Sequence, residues 1–121
     1  MIIGTGELIQ MERGTGKTSQ MVAEVLAEQE ALNRAGDTQH KIVVSVLSEQ
    51  EMWRVGELLD KAGVPLTNTR LVSHKRLSEM LRGVGEVSVY IDEFTEIPRS
   101  CHEVLDIGVA NAKIGVRGWY S

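Results

Sequence analysis

The chain has 121 residues, 42% of them hydrophobic and 25% charged, with a formal net charge of −4. That is room for one domain with an ordinary apolar core, and no apolar run reaches the length of a membrane span. The single cysteine, Cys101, excludes an internal disulfide framework, and the acidic balance excludes coating of nucleic acid through bulk charge while leaving room for a local basic surface.

A short apolar stretch, Leu8-Ile9-Gln10-Met11, predicts the first strand. Glu12-Arg13-Gly14-Thr15-Gly16-Lys17-Thr18 follows, and an amphipathic segment begins near Lys17. Strand, glycine-rich turn, Lys-Thr and helix is the layout of a phosphate-binding P-loop. Gly14 and Gly16 let backbone N–H groups approach phosphate oxygens that a Cβ would push away, and the helix N-terminus adds partial positive charge. The expected phosphate contacts are Arg13, Gly14, Thr15, Gly16, Lys17, Thr18 and Ser19. Lys17 would reach the β- and γ-phosphates of ATP, and the Thr18 hydroxyl would ligate Mg²⁺. The strict pattern has glycine where this chain has Met11, so the loop entrance is bulkier.

Met21, Val22, Val25, Leu26 and Leu32 recur at helical spacing, with Glu24, Glu28, Glu30 and Arg34 pointing elsewhere and Gly36 as the stop. Ile42 to Leu47 predicts a buried strand. Ser48 with Glu51 forms a capping box for a helix whose apolar face is Met52, Val55, Leu59 and Ala62, and Gly63-Val64-Pro65 breaks it. Arg70 to Ser73 is a short third strand, and Leu77, Met80 and Leu81 mark a short helix ending at Gly83. Val87-Ser88-Val89-Tyr90-Ile91 then predicts a buried parallel strand that delivers Asp92 and Glu93 to its C-terminal edge, where ligands of open α/β sheets bind. Asp92 would hold Mg²⁺ through water, and Glu93 would serve as general base toward the attacking water. Pro98 and a second capping box, Ser100 with Glu103, open a last helix carrying Val104 and Leu105, with Cys101 half-buried on it. Lys113 to Trp119 is the fifth strand. Alternating strands and helices imply right-handed crossovers and a three-layer α/β/α domain, residues 1–121, around a mainly parallel five-stranded sheet.

Two further features carry two readings each. Arg70, Lys75, Arg76 and Arg82 are either contacts to the phosphate backbone of DNA or a solvated helix face. Trp119 and Tyr120 either stack on a base or close the edge of the core.

The two motifs and the order of parts between them resemble the additional-strand, catalytic-Glu branch of P-loop NTPases, which contains RecA-like and helicase motors. Glu93 directly after Asp92, and a complete strand-helix-strand-helix between the motifs, carry the resemblance over roughly residues 7 to 120. It implies that the last strand lies between the two motif strands and ends near a polar sensor, for which Tyr120 or Ser121 stands. Within that branch, Arg13-Gly14-Thr15-Gly16-Lys17 and the aromatic of Asp92-Glu93-Phe94 look like the ATPase core of phage DNA-packaging, terminase-type motors. That likeness implies an ATP hydrolase of a viral-type motor, acting as a homo-oligomeric ring or with a larger motor partner. It also gives Arg13 a transition-state role beside Lys17 and Glu93. The expected compartment is the cytoplasm, that of an infected host if the packaging likeness holds. A nucleotide-binding regulatory protein without turnover, and a thymidine-kinase-like nucleoside kinase, are the alternatives.

Overall fold

The computed structural model describes residues 3–12 and 14–121. Five strands and four α-helices alternate: β1 Gly6–Gln10, α1 Lys17–Ala35, β2 Lys41–Val46, α2 Glu49–Lys61, β3 Thr69–Ser73, α3 Leu77–Met80, β4 Val87–Ile91, α4 Arg99–Ala110 and β5 Ile114–Tyr120. Two 3₁₀ turns, His74–Arg76 and Phe94–Glu96, sit at the ends of β3 and β4. The sheet order is β1-β5-β4-β2-β3, and every pairing is parallel. The last strand thus lies between the two motif strands, and all strand C-termini face one edge.

Side-chain alternation builds the two cores. Ile42, Val44 and Val46 of β2 pack with Tyr90 and Trp119 under Met21 and Val25 of α1 and Val55 and Leu59 of α2. Val43, Val89, Ile91 and Val116 face Leu77, Cys101 and Leu105 on the opposite side. Trp119 has no exposed surface and stacks on Tyr90 with ring centroids 6.3 Å apart. It is a core residue and presents no face to a base. Met11, intermediate in burial, packs against the α1-side core and donates its N–H to Tyr120 O at 2.9 Å, so the bulky residue at the loop entrance is anchored inward.

Four local expectations are corrected. Ser100 lies inside α4, which starts at Arg99 after Pro98 with no side-chain cap, because Pro98 already sets the entry dihedral and removes one orphan donor. Cys101 is fully buried. Leu47 falls outside β2 and is 47% exposed. Glu28 turns toward the sheet, accepting from the Tyr90 hydroxyl at 2.6 Å and facing His40 Nε2 at 3.1 Å, because these two buried polar groups need partners. The Ser48 cap does form, accepting from Glu51 N at 3.3 Å.

Two helical glycines respond oppositely to a methyl group. A Cβ at Gly108 would lie 2.2 Å from Ile114 Cδ1, whereas one at Gly56 meets only Leu71 Cδ2 at 3.6 Å. Gly108→Ala is expected to lower unfolding free energy by about 1–3 kcal/mol through overpacking, and Gly56→Ala to raise it by about 0.4–1 kcal/mol. Urea melts of the two variants check this; equal midpoints would contradict the packing of α4 on β5.

Candidate nucleotide site

The loop after β1 turns on Gly14 (φ 78°) and Gly16 (φ 87°), both in the left-handed region that glycine tolerates without strain. Gly16 is the N-cap of α1, has no side-chain capping bond, and no acid occupies the first turn. Among the described residues no side-chain acceptor caps the first N–H groups of this 19-residue helix, and such groups are what a helix N-terminus offers to an anion. Gly14, Gly16, Lys17, Thr18 and Ser19 line a cavity of about 270 Å³ with Glu93 and Arg54. Thr15 turns away, its hydroxyl donating to Glu12 O. Arg13 lies outside the described residues.

The acid loop reaches the same place from β4. Thr18 Oγ1 donates to Asp92 Oδ2 at 3.0 Å, joining residues 74 positions apart. Asp92 is buried, donates its N–H to Ser45 O at 3.0 Å and accepts from Glu93 N at 3.0 Å, which fixes the carboxylate. A hydroxyl and a carboxylate converging on one point are hard oxygen donors of the kind Mg²⁺ takes when phosphates and water complete its shell. Among the described residues no group of three His, Cys, Asp or Glu could hold a metal, so an all-protein metal cage is not what this pair belongs to.

Lys17, nearly buried, donates to Glu93 Oε1 at 2.6 Å and to Ser121 Oγ at 2.9 Å. Ser121, the residue after β5, thus meets the loop lysine, while Tyr120 pairs in register with Gln10 of β1 and its carbonyl accepts from Met11 N. An anion placed in the cavity would compete with both partners for the ammonium. Glu93 itself sits at φ 52°, ψ 56°, a left-handed conformation rare for a residue with a side chain. Phe94, next in the chain, pins the turn: it lies so close over Gly118 of β5 that a Cβ there would be 2.7 Å from Phe94 Cδ2.

Sequence reasoning passed over three residues that reach this region. Ser45 Oγ lies 2.7 Å from His74 Nδ1, and both side chains are buried. Burial holds His74 below its ordinary pKa, against the opposing pull of the Asp92 and Glu93 backbone and charges beside it, so the ring is neutral near pH 7. His74 opens the turn that carries Lys75 and Arg76, so this turn is packed directly against the acid loop. The third is Arg54 of α2, whose Nη2 is 3.4 Å from Thr18 Oγ1. Only the patterning of α2 hinted at it, as a polar residue on the helix turn above Glu51.

Arg70, Lys75, Arg76 and Arg82 are all exposed. They do not form one cluster. Arg70 pairs in register with Val43 early in β3, whereas Lys75 and Arg76 follow the strand end, about 10 Å of strand away. Lys75 and Arg76 alone stand at the edge of the sheet that carries the P-loop.

No family model and no curated protein matches the chain. Among solved structures, it is similar to arterivirus nonstructural protein 10, a helicase determined in complex with DNA, with a TM-score of 0.60 and 16% sequence identity over 98% of this chain. The chain spans 29% of the length of that helicase. The chain thus shares its α/β fold with part of that helicase, and the likeness extends to fold alone.

The backbone at Glu93 gives a test free of ligand. Glu93→Gly and Glu93→Ala lose the same carboxylate, but only alanine keeps the left-handed strain. Glu93→Gly is expected to be about 1 kcal/mol more stable than Glu93→Ala in chemical denaturation. Equal stabilities would mean the turn relaxes to an ordinary conformation.

Proposed function

We propose that this chain is a Mg²⁺-dependent nucleoside triphosphatase, the nucleotide-binding core of a motor that acts on nucleic acid. The observation that carries this reading is the Thr18–Asp92 hydrogen bond, 3.0 Å long, beside a loop turning on two left-handed glycines. A helix-initiating hydroxyl and a strand-ending carboxylate have little reason to meet across the sheet unless both address one cation and its phosphates. The likeness to a helicase lobe supports the motor reading at the level of fold; it carries nothing toward the packaging branch in particular, which rests on the loop sequence around Arg13 and on Phe94.

In this reading Lys17 leaves Glu93 and Ser121 for the β- and γ-phosphates, and the N–H groups after Gly14 and Gly16 hold the same oxygens. Thr18 and Asp92 would hold Mg²⁺, which when bound neutralises charge on the β- and γ-oxygens. Glu93, released from Lys17, accepts a proton from water as the water oxygen bonds to the γ-phosphorus. The bond from that phosphorus to the β,γ-bridging oxygen breaks, its electron pair stays on the nucleoside diphosphate, and inorganic phosphate leaves. Arg13 would complete the loop's positive charge. One lobe offers half of a motor site, so a ring of copies or a larger partner would supply the rest.

The 2.6 Å Lys17–Glu93 ion pair favours a second reading, a nucleotide-binding regulatory protein in which this pair is never broken productively. Turnover separates the two. Lys17→Ala is expected to abolish or gravely weaken binding of a labelled ATP analogue without unfolding the protein. Glu93→Gln should keep that binding and lower phosphate release by about 10²-fold or more. Analogue binding by Lys17→Ala at parental affinity would sink the phosphate site, and a parent that binds but releases no phosphate is the regulatory protein.

Nucleic acid, if bound, meets the protein at Lys75 and Arg76, with Arg70 and Arg82 peripheral. Their turn is tied through His74 to Ser45 and lies against the acid loop, so contact there is mechanically close to Glu93. Phosphate contacts of this kind are weak, independent of sequence and steeply salt-dependent. Reversing Lys75 and Arg76 to Glu is expected to remove DNA-stimulated hydrolysis and leave basal hydrolysis within about twofold, since neither side chain reaches the cavity. A parent whose phosphate release ignores DNA at low salt would make the turn a solvated surface.

A further inference from the structure

Arg54 stands outside both sequence motifs yet borders the cavity that they make. It lines the 270 Å³ space with Lys17 and Glu93, and also an adjoining space of about 210 Å³ bounded by Asp92, Glu93, Glu51 and Glu96. Thr18, Glu93 and Arg54 are the residues common to the two. The guanidinium therefore sits at the junction where the metal-side oxygens of Thr18 and Asp92 face the P-loop cavity.

Charge gives the position a meaning. The described residues lining the two spaces include four carboxylates, Glu51, Asp92, Glu93 and Glu96, and two cations, Lys17 and Arg54. Lys17 is already neutralised by Glu93 at 2.6 Å. A triphosphate brought against this wall of acids is favoured by each cation that reaches it, Arg54 as well as Lys17 and the Mg²⁺ that Thr18 and Asp92 would hold. The guanidinium is the group available at the Thr18 end, where the terminal phosphate lies in a P-loop site. Its present partner is a weak competitor: Glu51, three residues earlier on α2, binds Arg54 Nη2 at 2.6 Å, but the arginine side chain is 58% exposed and the glutamate 35%. Solvent-exposed pairs of this type contribute little, whereas a guanidinium fork matches phosphate oxygens with two parallel hydrogen bonds.

We propose that Arg54 is a γ-phosphate ligand supplied in cis by α2, parked on Glu51 and transferred to the terminal phosphate when a nucleoside triphosphate occupies the loop. The inference rests on the triphosphatase reading and deepens it: the site distinguishes triphosphate from diphosphate through α2. Because α2 packs against α1 and β3, the same contact would make the position of α2 depend on the presence of the γ-phosphate.

Calorimetric titration of a non-hydrolysable Mg-ATP analogue and of Mg-ADP into the parent, Arg54→Ala, Arg54→Lys and Lys17→Ala tests this. Arg54→Ala is expected to weaken the triphosphate about tenfold or more, the range of a charge-assisted phosphate contact, and to leave Mg-ADP within about twofold. Arg54→Lys should recover part of the loss, since it keeps the charge but not the fork. Glu51→Gln, which frees the guanidinium, should tighten the triphosphate a few-fold and not the diphosphate. Equal effects of Arg54→Ala on both nucleotides, or none on either, with Lys17-dependent binding intact in the parent, would overturn the Arg54 assignment alone. A parent that binds neither nucleotide, or a Lys17→Ala variant that binds both as the parent does, would overturn the triphosphatase reading and the Arg54 assignment with it.

Discussion

The hydrogen bond from Thr18 to Asp92 spans the gap that β5 makes by lying between the strands that carry the two motifs. Parallel strands are about 4.8 Å apart, so β1 and β4 stand about 10 Å from each other at the sheet edge. That gap is spanned by side chains of the first turn of α1 on one side and the acid loop on the other. It leaves a space of the size that phosphates and a hydrated cation require. β5 sets this width, and its sequence shows the constraint: Gly118 must lack a Cβ for Phe94 to lie over it, and Trp119 fills the opposite core. With a bulkier residue at 118, Phe94 would lift and the strained turn at Glu93 would lose its anchor.

Around that gap the charges are arranged to be exchanged. Lys17 is held by Glu93, and Arg54 by Glu51. Each cation is satisfied by a carboxylate, and in the proposed function a phosphate replaces that carboxylate. The left-handed Glu93 adds a second source of instability at the same position, since a residue with a Cβ is held there only by its surroundings. Backbone strain and the Lys17–Glu93 ion pair thus meet at one residue of the acid loop, beside the cavity. The buried Ser45–His74 contact ties β2 to the basic turn after β3.

Much of the architecture was legible in the residue pattern. Periodicity and capping residues placed all five strands to within two residues at either end, and the alternation of strands with helices implied the parallel sheet that the strand order now specifies. Errors clustered where two local signals competed. At Pro98-Arg99-Ser100 the proline's fixed φ starts the helix one residue before the serine that looks like a cap. On α1, Glu28 reads as a surface residue by its charge, but Tyr90 and His40 on the sheet draw it inward. Counting basic residues along 70 to 82 could not reveal that a strand's length separates Arg70 from Lys75 and Arg76.

Local patterns sufficed for the outline of the loop and the acid pair: glycines in a turn, a lysine and hydroxyl at a helix start, and two carboxylates at a strand end. Which groups from distant parts of the chain join them depends on how the layers pack. Arg54, His74 and Ser45 carry no local signature, and Ser121 was named only through the family resemblance, because what each touches is set by strand order and by the packing of α2 and β3 against the sheet. Contacts across 29 to 104 positions depend on how the layers close, and no periodicity in the chain records that.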